Sequence, residues 1–335
     1  MRYTIKDIAS VANVSVSTVS KCLNGYGDIG EDTKKHVLET IKQLDYVPNT
    51  FARYISTKAT HVIGLTVPDI KDPYFAQSTF GIEERLKANG YELFLGNLDR
   101  SESKFLKFIQ TAREMRFDAL IITPDFWTDE VCAALSRMDV PVLSIRRRPP
   151  QKCKLHFVDS NHYTCALEML RYLYQKGHRK IAHAKLPNDA GTFRAAAYEE
   201  FCKEKGLETR LVSVDMPASI LSDAVENGRG CCRMILENWP DTTAIFCGSD
   251  FIAVGVMAYL RDTGKRIPQD LSVTGIGNVD FIQLPWFNLT TMELHRYEMG
   301  ERTADLLLQE LRGLEVADVL FDATLVERGS VAPIK

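Results

Sequence analysis

Three side chains near the start of the chain, Val16, Ser17 and Lys21, have types suited to contacts with the edges of DNA bases. A valine methyl group can contact the thymine methyl group, a serine hydroxyl can bond to a donor or an acceptor, and a lysine can donate to guanine. The three residues fall on one side of a short helix predicted over residues 15–23, away from its apolar positions. This spacing therefore favours recognition of base edges in a DNA major groove.

The surrounding residues predict the elements that would hold this surface in place. Ile5, Ile8, Ala9 and Ala12 occur at i, i+3, i+4 and i+7, which places them on one face of a first helix. Asn13 follows where the turn requires a residue in the left-handed region, which asparagine tolerates better than most residues. The spacing thus predicts a helix, a tight turn and a second helix.

The second helix is capped and oriented by its own residues. Ser15 is suited to cap its N-terminus, and Val19 and Leu23 face inward because they are four residues apart. A third helix is predicted over residues 32–44, with an apolar stripe that consists of Val37, Leu38, Ile41 and Leu44. Three small helices with an exposed second helix are typical of a helix-turn-helix DNA-binding domain. Short amphipathic helices also occur in many other globular proteins, so periodicity alone leaves that alternative open.

The residue types over residues 4–24 are more specific than their periodicity. The residues that carry the pattern are Thr4, Ile5, Asp7, Ile8, Ala9, Ala12, Val14, Ser15, Thr18, Val19, Ser20, Leu23 and Asn24. In these positions the chain resembles the LacI/GalR family of bacterial repressors, whose N-terminus reads T-I-x-D-[IV]-A-x-x-A-G-V-S-x-x-T-V-S-R-x-L-N. Asn13 replaces the turn glycine, and Lys21 replaces an arginine, so a point donor stands in place of a bidentate one.

The resemblance implies which residues contact DNA. Val16, Ser17 and Lys21 would face the bases and so define the operator. The residues expected to contact phosphates, which position the domain without reading sequence, are Thr4, Ser15, Thr18 and Asn24.

A hinge is predicted after the third helix. Pro48 ends the preceding helix and Asn49 can cap a new one, but the new helix would have only about two turns and would be unstable alone in water. The segment resembles the family pattern P-N-x-x-A-R-x-L, with Ile55 in place of leucine. This resemblance implies a hinge helix that orders on operator DNA, with Asn49, Ala52 and Ile55 as minor-groove contacts and Ile55 as an apolar wedge. A plain interdomain linker is the alternative.

Composition limits the class of protein. The 335 residues include 45% hydrophobic and 25% charged residues, as in an ordinary globular protein, and no run of 18 apolar residues predicts a membrane span. No secretory signal is recognisable, so we expect a cytoplasmic protein. The eight cysteines contain no C-x-x-C pair, which favours reduced thiols. The net charge is −3, yet residues 1–58 hold eight Lys and Arg residues against six Asp and Glu residues, so only the N-terminal end is basic.

From residue 61 onwards, short apolar segments alternate with helical ones. A strand over Tyr91–Leu95, for example, precedes a helix over Ser103–Arg116, and a later helix is predicted over Phe193–Lys205. This alternation predicts two α/β lobes with parallel sheets, in the manner of periplasmic binding proteins, with ligands beyond the carboxyl ends of the strands. The predicted domains are a DNA-binding domain at 1–47, a hinge at 48–60 and an effector-binding and dimerisation domain at 61–335. The first lobe would comprise about 61–160 and 292–322, and the second about 161–291 and 323–335.

The second part of the chain also resembles the LacI/GalR effector domain. The motifs that carry this resemblance include Val67-Pro68-Asp69, Gly177-His178-Arg179 and Ile267-Pro268-Gln269. No glycine-rich phosphate loop, metal-ligand spacing or nucleophile elbow is present in the sequence. We therefore expect no cofactor, no metal, no catalytic residue and no enzyme activity.

Residues near strand ends are the candidates for effector binding. Asp69 follows the first strand, Tyr74 and Phe75 begin the next helix, and Thr123 ends the third strand. In the family an aromatic residue at this place packs on the ring of the effector, although both aromatic residues here could instead belong to the core.

Two further candidates lie in the second series of elements. Arg194 matches the family arginine in R-x-x-G-[FYW], which contacts the effector, although an arginine on a helix surface is also common. Asp250 starts a helix near the expected mouth of the cleft, where it could equally serve as an N-cap.

Departures from the family pattern bear on the charge of the effector. The family has G-[YF]-D-[ND] where this chain has Gly275-Ile276-Gly277-Asn278, so a carboxylate that binds effector hydroxyls is missing. Arg146 stands at a strand end where the family commonly has aspartate, and Lys185 stands where glycine is usual. With Asn278 as a further candidate contact, these changes lead to the hypothesis of an anionic effector. The alternative is that the arginine run lies in a solvated loop and that Lys185 points outward.

The sequence thus predicts a homodimeric transcription repressor that binds a near-palindromic operator and is controlled by a small-molecule effector, a sugar or sugar derivative. A cytoplasmic sugar-binding sensor without DNA function is the alternative.

Overall fold

The computed structural model describes residues 3–24, 29–46, 59–213 and 221–334. The chain divides into two compact units, Met1–Thr60 and His61–Lys335, which we call the head and the body. The head is helical and the body contains two parallel α/β sheets, which confirms the predicted fold class. The hinge predicted at residues 48–60 falls largely outside the described residues.

The head consists of three helices, α1 (Ile5–Val11), α2 (Val16–Asn24) and α3 (Glu31–Gln43). Its core contains Ile8, Ala9, Ala12, Val19, Cys22 and Val37. The turn between α1 and α2 places Asn13 at φ 52°, which confirms the predicted left-handed turn residue. The prediction for Leu38 is wrong: its side chain is 44% exposed, because it follows the buried Val37 by one residue and so points about 100° away on the helix.

The strands of the body alternate with helices, as the sequence predicts. They are β1 (Val62–Val67), β2 (Glu92–Asn97), β3 (Ala119–Ile122), β4 (Val142–Ile145), β5 (His156–Ser160), β6 (Ile181–Lys185), β7 (Arg210–Ser213), β8 (Ala244–Cys247), β9 (Ser272–Thr274), β10 (Thr291–Glu293), β11 (Val319–Phe321) and β12 (Thr324–Val326). Six parallel strands in the order β11-β5-β4-β3-β1-β2 form one sheet, and four parallel strands in the order β7-β6-β8-β9 form the other. The antiparallel pair β10–β12 completes the body.

Helices cover these sheets. They are α4 (Ala76–Ala88), α5 (Glu102–Glu114), α6 (Asp129–Leu135), α7 (His162–Gln175), α8 (Asp189–Lys205), α9 (Leu221–Asn238), α10 (Asp250–Asp262) and α11 (Arg296–Leu311), and two 3₁₀ turns span Pro73–Phe75 and Asp280–Gln283. Both sheets have fully buried central strands, β3 and β8 among them, because parallel sheets are covered on both faces.

Several features of the body differ from the prediction, and the elements after residue 276, which are β10, α11, β11 and β12, were not predicted. Helix α8 begins at Asp189 rather than Phe193, because the side chain of Asn188 caps it by accepting a hydrogen bond from Gly191 N at 2.9 Å. Strand β5 was not predicted, since its sequence His-Phe-Val-Asp-Ser carries little apolar signal, but it pairs with β4 and β11 within the first sheet.

Helices α4 and α11 cross with their backbones in close contact. A β-carbon added at Gly81 would collide with the carbonyl oxygen of Tyr297, and one added at Gly300 would collide with that of Ser78. Glycine at both positions therefore permits this approach. The crossing fixes the first turn of α11, which starts at Arg296, beside the 3₁₀ turn that leads into α4.

The prediction of eight reduced cysteines is wrong for one pair. Cys132 on α6 and Cys153 are joined in a disulfide, with Cα atoms 5.4 Å apart. The two residues are 21 positions apart in sequence, and only the fold brings them together. The other six cysteines are buried.

Candidate functional site

The N-terminus of α1 is fixed by a reciprocal pair of bonds between Thr4 and Asp7. The backbone N–H of Thr4 donates to Asp7 Oδ2 at 2.7 Å, and the N–H of Asp7 donates to Thr4 Oγ1 at 3.4 Å. Hydrogen bonds from the backbone and side chain of Thr4 lower the pKa of Asp7. The paired side chains thus order the first turn of the head.

Helix α2 begins with a second cap. Ser15 Oγ accepts a hydrogen bond from Thr18 N at 3.0 Å, and the two hydroxyls lie 2.8 Å apart. Thr4, Ser15 and Thr18, which the resemblance assigns to phosphate contacts, are therefore all at helix N-termini. Orphan N–H groups and the helix dipole favour anions at such ends.

The outer face of α2 remains open while its inner face is buried. Val16 is 41% exposed and Ser17 is exposed, whereas Val19 is fully buried. Lys21 is half-buried in the last turn of the helix. The side chain of Asn24 and the predicted minor-groove contacts Asn49, Ala52 and Ile55 lie outside the described residues.

The body contains a cavity of about 360 Å³ at the carboxyl ends of strands from both sheets. Five of the nine predicted effector contacts line it, namely Tyr74, Phe75, Thr123, Arg146 and Arg194. The other lining residues are Asp72, Arg100, Asp125, Arg147, Asp159, Ser160, His162, Leu186, Pro187, Asn188, Asp189, Ala190, Ala224, Ser249, Phe251, Leu294 and Arg296. A cavity of this size fits a small molecule.

The other four predicted contacts lie off the cavity lining among the described residues, and the reason differs for each. Asp69 is buried and accepts a hydrogen bond from Lys71 N at 3.0 Å. Lys185 ends β6 and pairs in register with Ser213 of β7. Asn278 is held by Arg328, whose Nη2 donates to its Oδ1 at 2.7 Å, and it donates in turn to Glu293.

Asp250, the first residue of α10, links that helix to β10 and to the backbone at Val279. Its carboxylate accepts hydrogen bonds from Thr291 Oγ1 at 2.6 Å and from Val279 N at 3.0 Å. Burial raises the pKa of Asp250 to about 6, against the effect of these bonds. The N-cap of α10 is Ser249, so the alternative that Asp250 itself caps the helix is wrong.

Most charged side chains on one side of the cavity form a network. Arg100 Nη1 and Arg147 Nη2 both bond to Asp125, at 2.9 and 2.8 Å, and Arg100 also lies 3.7 Å from Asp72. Nearby, Arg148 Nε donates to the buried Asp159 at 3.2 Å. These carboxylates are thus already neutralised by arginines.

Arg194 is buried and bridges α8 to two other elements. Its Nη1 donates to the carbonyl oxygen of Gly248 at 2.5 Å, and its Nη2 lies 3.1 Å from His162 Nδ1. Burial, followed by the charge of Arg194, lowers the pKa of His162 to about 4, so the imidazole is neutral at pH 7. Its Nδ1 then accepts from Arg194, which leaves the proton on Nε2, 3.3 Å from Asp159 Oδ1.

Sequence reasoning missed Arg296, His162 and the Arg100–Asp125 network. Arg296 stacks on Tyr74, with its Cζ 4.7 Å from the ring centroid, although the two residues are far apart in the chain. No motif marks these residues, since each reaches the cavity from an element whose position depends on the whole fold. Among the described residues no cluster of His, Cys, Asp and Glu could hold a metal, and no helix is long and apolar enough to cross a membrane.

Comparisons with known proteins agree over both units. Residues 4–49 match the family of bacterial regulatory proteins, lacI family, and residues 170–331 match the periplasmic binding protein-like domain. The HTH-type transcriptional repressor PurR of Erwinia tasmaniensis is 30% identical over 337 residues, which covers 98% of this chain and 97% of that protein. The ribose operon repressor of Halalkalibacterium halodurans is 29% identical over 310 residues, with 92% and 90% covered.

Solved structures share the fold along most of the chain. The lac repressor dimer bound to operator and the anti-inducer ONPF has a TM-score of 0.88 at 22% identity, with 99% of this chain and 100% of that chain covered. A periplasmic binding protein/LacI transcriptional regulator from Alkaliphilus metalliredigens, complexed with D-xylulofuranose, has a TM-score of 0.71 at 25% identity, with 81% and 99% covered.

Proposed function

Because the chain belongs to the lacI family of bacterial regulatory proteins, we propose that its operator affinity is controlled by a small molecule bound in the body cavity. The family assignment makes it a DNA-binding transcriptional repressor with an effector domain, not an enzyme. The finer proposal is that it acts in the cytoplasm as a homodimer on a near-palindromic operator. The proposed effector is a sugar or a sugar derivative, a class that includes anionic compounds such as sugar phosphates and sugar acids.

The observation that carries DNA recognition is the open outer face of α2. Val16 and Ser17 are exposed beside the half-buried Lys21, while Val19 is buried in the head core. A short helix with small exposed side chains can enter a major groove closely enough to touch base edges. We assign base contacts to Val16, Ser17 and Lys21. The phosphate contacts are Thr4, Ser15, Thr18 and Asn24, and the hinge contacts are Asn49, Ala52 and Ile55.

Dimerisation is supported by large apolar side chains on the body surface. Trp286 is 80% exposed and Leu284 is 46% exposed, and both follow the 3₁₀ turn Asp280–Gln283. Phe80 on α4 is 51% exposed as well. Exposed apolar groups of this size are typical of an interface, and a two-fold interface would present two heads to the two halves of an operator.

A sugar-type effector is supported by the cavity and by relatives. The lining combines aromatic side chains such as Phe75 and Phe251 with carboxylates and arginines, a mixture that suits a ring bearing polar groups. Among relatives, one represses a ribose operon and another binds D-xylulofuranose. We assign effector contacts to Tyr74, Phe75, Thr123, Arg146 and Arg194, and a supporting role to Asp69, Lys185, Asp250 and Asn278.

Selection of binding sites from random DNA by the full-length protein tests this proposal. We expect enrichment of one near-palindromic sequence. When a panel of sugars and sugar acids is added, we expect the effector among them to weaken or strengthen binding of that sequence by the protein. The variant Lys21→Ala should lose enrichment at specific base positions. A sensor without DNA function would enrich no sequence, and that result would overturn the proposal.

A further inference from the structure

Two arginine side chains contact the same aromatic ring in the cavity. The Cζ of Arg146 lies 3.8 Å from the centroid of the Tyr74 ring, and the Cζ of Arg296 lies 4.7 Å from it. Arg146 also lies 4.4 Å from the centroid of Phe75. Within the described part of the body, no carboxylate oxygen lies within 4.0 Å of either guanidinium. The contacts of both guanidinium groups at this distance are therefore with aromatic rings and neutral acceptors, and no carboxylate pairs directly with either one.

Arg296 is buried with donors that have no acceptor. The residue is 2% exposed, and its Nε and Nη1 have no hydrogen-bond partner, while Nη2 lies 3.4 Å from Gln77 Oε1. Gly277 leaves space beside it, since a β-carbon there would lie 3.4 Å from Arg296 Nη1. The same β-carbon would lie 3.0 Å from Asp250 Oδ2. That carboxylate is held by its own bonds to Thr291 and Val279, and the charge of Arg296 opposes the burial that raises the pKa of Asp250. Buried donors of this kind cost free energy unless another group satisfies them.

Arg146 faces the cavity with most of its donors unused. One nitrogen, Nη1, donates to the carbonyl oxygen of Tyr74 at 2.9 Å. Burial lowers the pKa of Arg146 to about 10; the charges of Arg296 and Arg147 act in the same direction, whereas Tyr74 and the Asp72 carboxylate act against it. The side chain therefore stays charged at pH 7. Its neighbours Arg147 and Arg148 bond to Asp125 and Asp159. Arg146 thus differs from the other two arginines of its run in lacking a carboxylate partner.

The fold holds these groups in a fixed relation. Tyr74 belongs to the 3₁₀ turn before α4, and Arg296 is the first residue of α11. The glycine crossing of α4 and α11 at Gly81 and Gly300 fixes one helix against the other. The two guanidinium groups and the ring between them therefore form a site that is in place before any ligand enters.

On the basis of the proposed function, we infer that the effector carries a carboxylate or phosphate group and that Arg146 and Arg296 neutralise it. A neutral sugar would leave the free donors of both arginines without an anionic acceptor, because Asp125 and Asp159 are already bonded to other arginines and Asp72, which acts on Arg146 from a longer distance, lies 3.7 Å from Arg100. An anionic group beside Tyr74 would satisfy the free donors of Arg296 and Arg146 through charge-assisted hydrogen bonds. Arg296 is thereby a specificity-determining residue of the cavity.

Thermal unfolding of the full chain with inorganic phosphate as the probe tests this inference. All three tryptophans, Trp127, Trp239 and Trp286, lie in the body, so their fluorescence reports its unfolding. Phosphate should raise the unfolding midpoint above that in chloride at equal ionic strength. Arg146→Gln and Arg296→Gln should each weaken the apparent phosphate affinity by about tenfold or more. Arg137→Gln removes the same charge at an exposed position of the body outside the cavity and should leave the affinity unchanged.

Further arms separate the sources of the anion and guard against misfolding. Gluconate carries a carboxylate, glucose 6-phosphate carries a phosphate, and glucose carries neither. Whichever of the two anionic compounds protects the body more strongly identifies the anionic group that the site prefers. Arg296→Lys keeps the charge and should retain part of the protection even where Arg296→Gln does not fold. If no anionic probe protects the body, or if all variants are protected equally, the inference is overturned. If the anions fail to protect the body but the protein still selects an operator from random DNA, the inference fails and the proposed function stands. If the protein selects no operator, the proposed function itself fails.

Discussion

The head and the body use charged and polar side chains in opposite ways. In the head, the candidate recognition residues Val16 and Ser17 are exposed, and the polar side chains of Thr4 and Ser15 complete helix ends. In the body, by contrast, the candidate ligand contact Arg194 is almost fully buried. The recognition residues of the head therefore contribute little to its folding free energy. The site residues of the body, by contrast, also stabilise the fold of the body.

This contrast predicts that substitutions at the two sites have different costs. A change on the outer face of α2 should alter binding with little change in stability. A change in the body cavity should alter both, because buried arginines also bond to the backbone and to histidine. Four experiments test this contrast, in order of decreasing expected effect.

The largest effect is expected from Arg194→Met. The change leaves the Gly248 carbonyl oxygen and His162 Nδ1 without their donor in a buried place, so the body should lose about 4 kcal/mol of unfolding free energy. Urea unfolding followed by tryptophan fluorescence measures the loss. Arg137→Met, an exposed arginine after α6, provides the control. A stable Arg194→Met variant would show that the buried arginine serves ligand binding alone.

The next largest effect is a loss of stability of the body at acidic pH, caused by the buried His183. Burial, reinforced by the charges of Arg194 and Lys185, lowers the pKa of His183 to about 4, against about 6.5 in the unfolded chain. The unfolded chain therefore takes up a proton at a higher pH than the folded body, and stability falls as the pH drops from about 6.5 to about 4, by up to about 3 kcal/mol for this residue. His183→Phe keeps the stack on Phe246 and should flatten the pH dependence of the urea midpoint. An unchanged slope would contradict this role.

Within the head, the same substitution at a buried and at an exposed valine of α2 should have different consequences. Val19→Ala removes two buried methyl groups and should destabilise the head by about 2 kcal/mol, with a loss of operator affinity. Val16→Ala, on the exposed face, should change operator preference and leave the resistance of the head to thermolysin intact. Tryptophan unfolding of the body should be the same in both variants. Equal proteolysis of the two variants would argue against an open face at Val16.

The smallest effect is expected at the cap of α2. Ser15→Ala removes the acceptor for Thr18 N and should cost about 1 kcal/mol of head stability. Ser17→Ala in the first turn is the matched control, because Ser17 is exposed and does not cap the helix. Thermolysin cleavage rates compare the two. A larger loss in Ser17→Ala than in Ser15→Ala would place the cap elsewhere.

The two units also differ in how far their sequence predicts them. The head could be predicted almost completely, since its caps, its turn residue Asn13 and its apolar spacing act within a few residues of one another. Leu38 is the exception, because the spacing of apolar residues alone does not show whether Val37 or Leu38 is buried in the core. In the body, the alternation of strands and helices predicted the sheets for the same local reason.

The candidate site of the body was only partly predictable. Arg146 follows a strand end and could be found from that rule, but Lys185 also follows the rule and lies off the cavity. Arg296 could not be found, since it depends on where α11 crosses α4. The ion pair between Arg147 and Asp125 could not be predicted either. The two side chains come from separate strand ends, and no sequence pattern relates one residue to the other.

The glycine crossing of α4 and α11 has a mechanical consequence. Gly81 lies near the middle of α4, so about 10 Å of helix extends from the contact to Ala88, at 1.5 Å per residue. Rotation of α4 by about 5° around this pivot would move that end by about 1 Å and the end next to Tyr74 in the opposite direction. A bound molecule that turned the helix in this way would therefore move its far end by about the same distance, because the helix between the two ends is rigid.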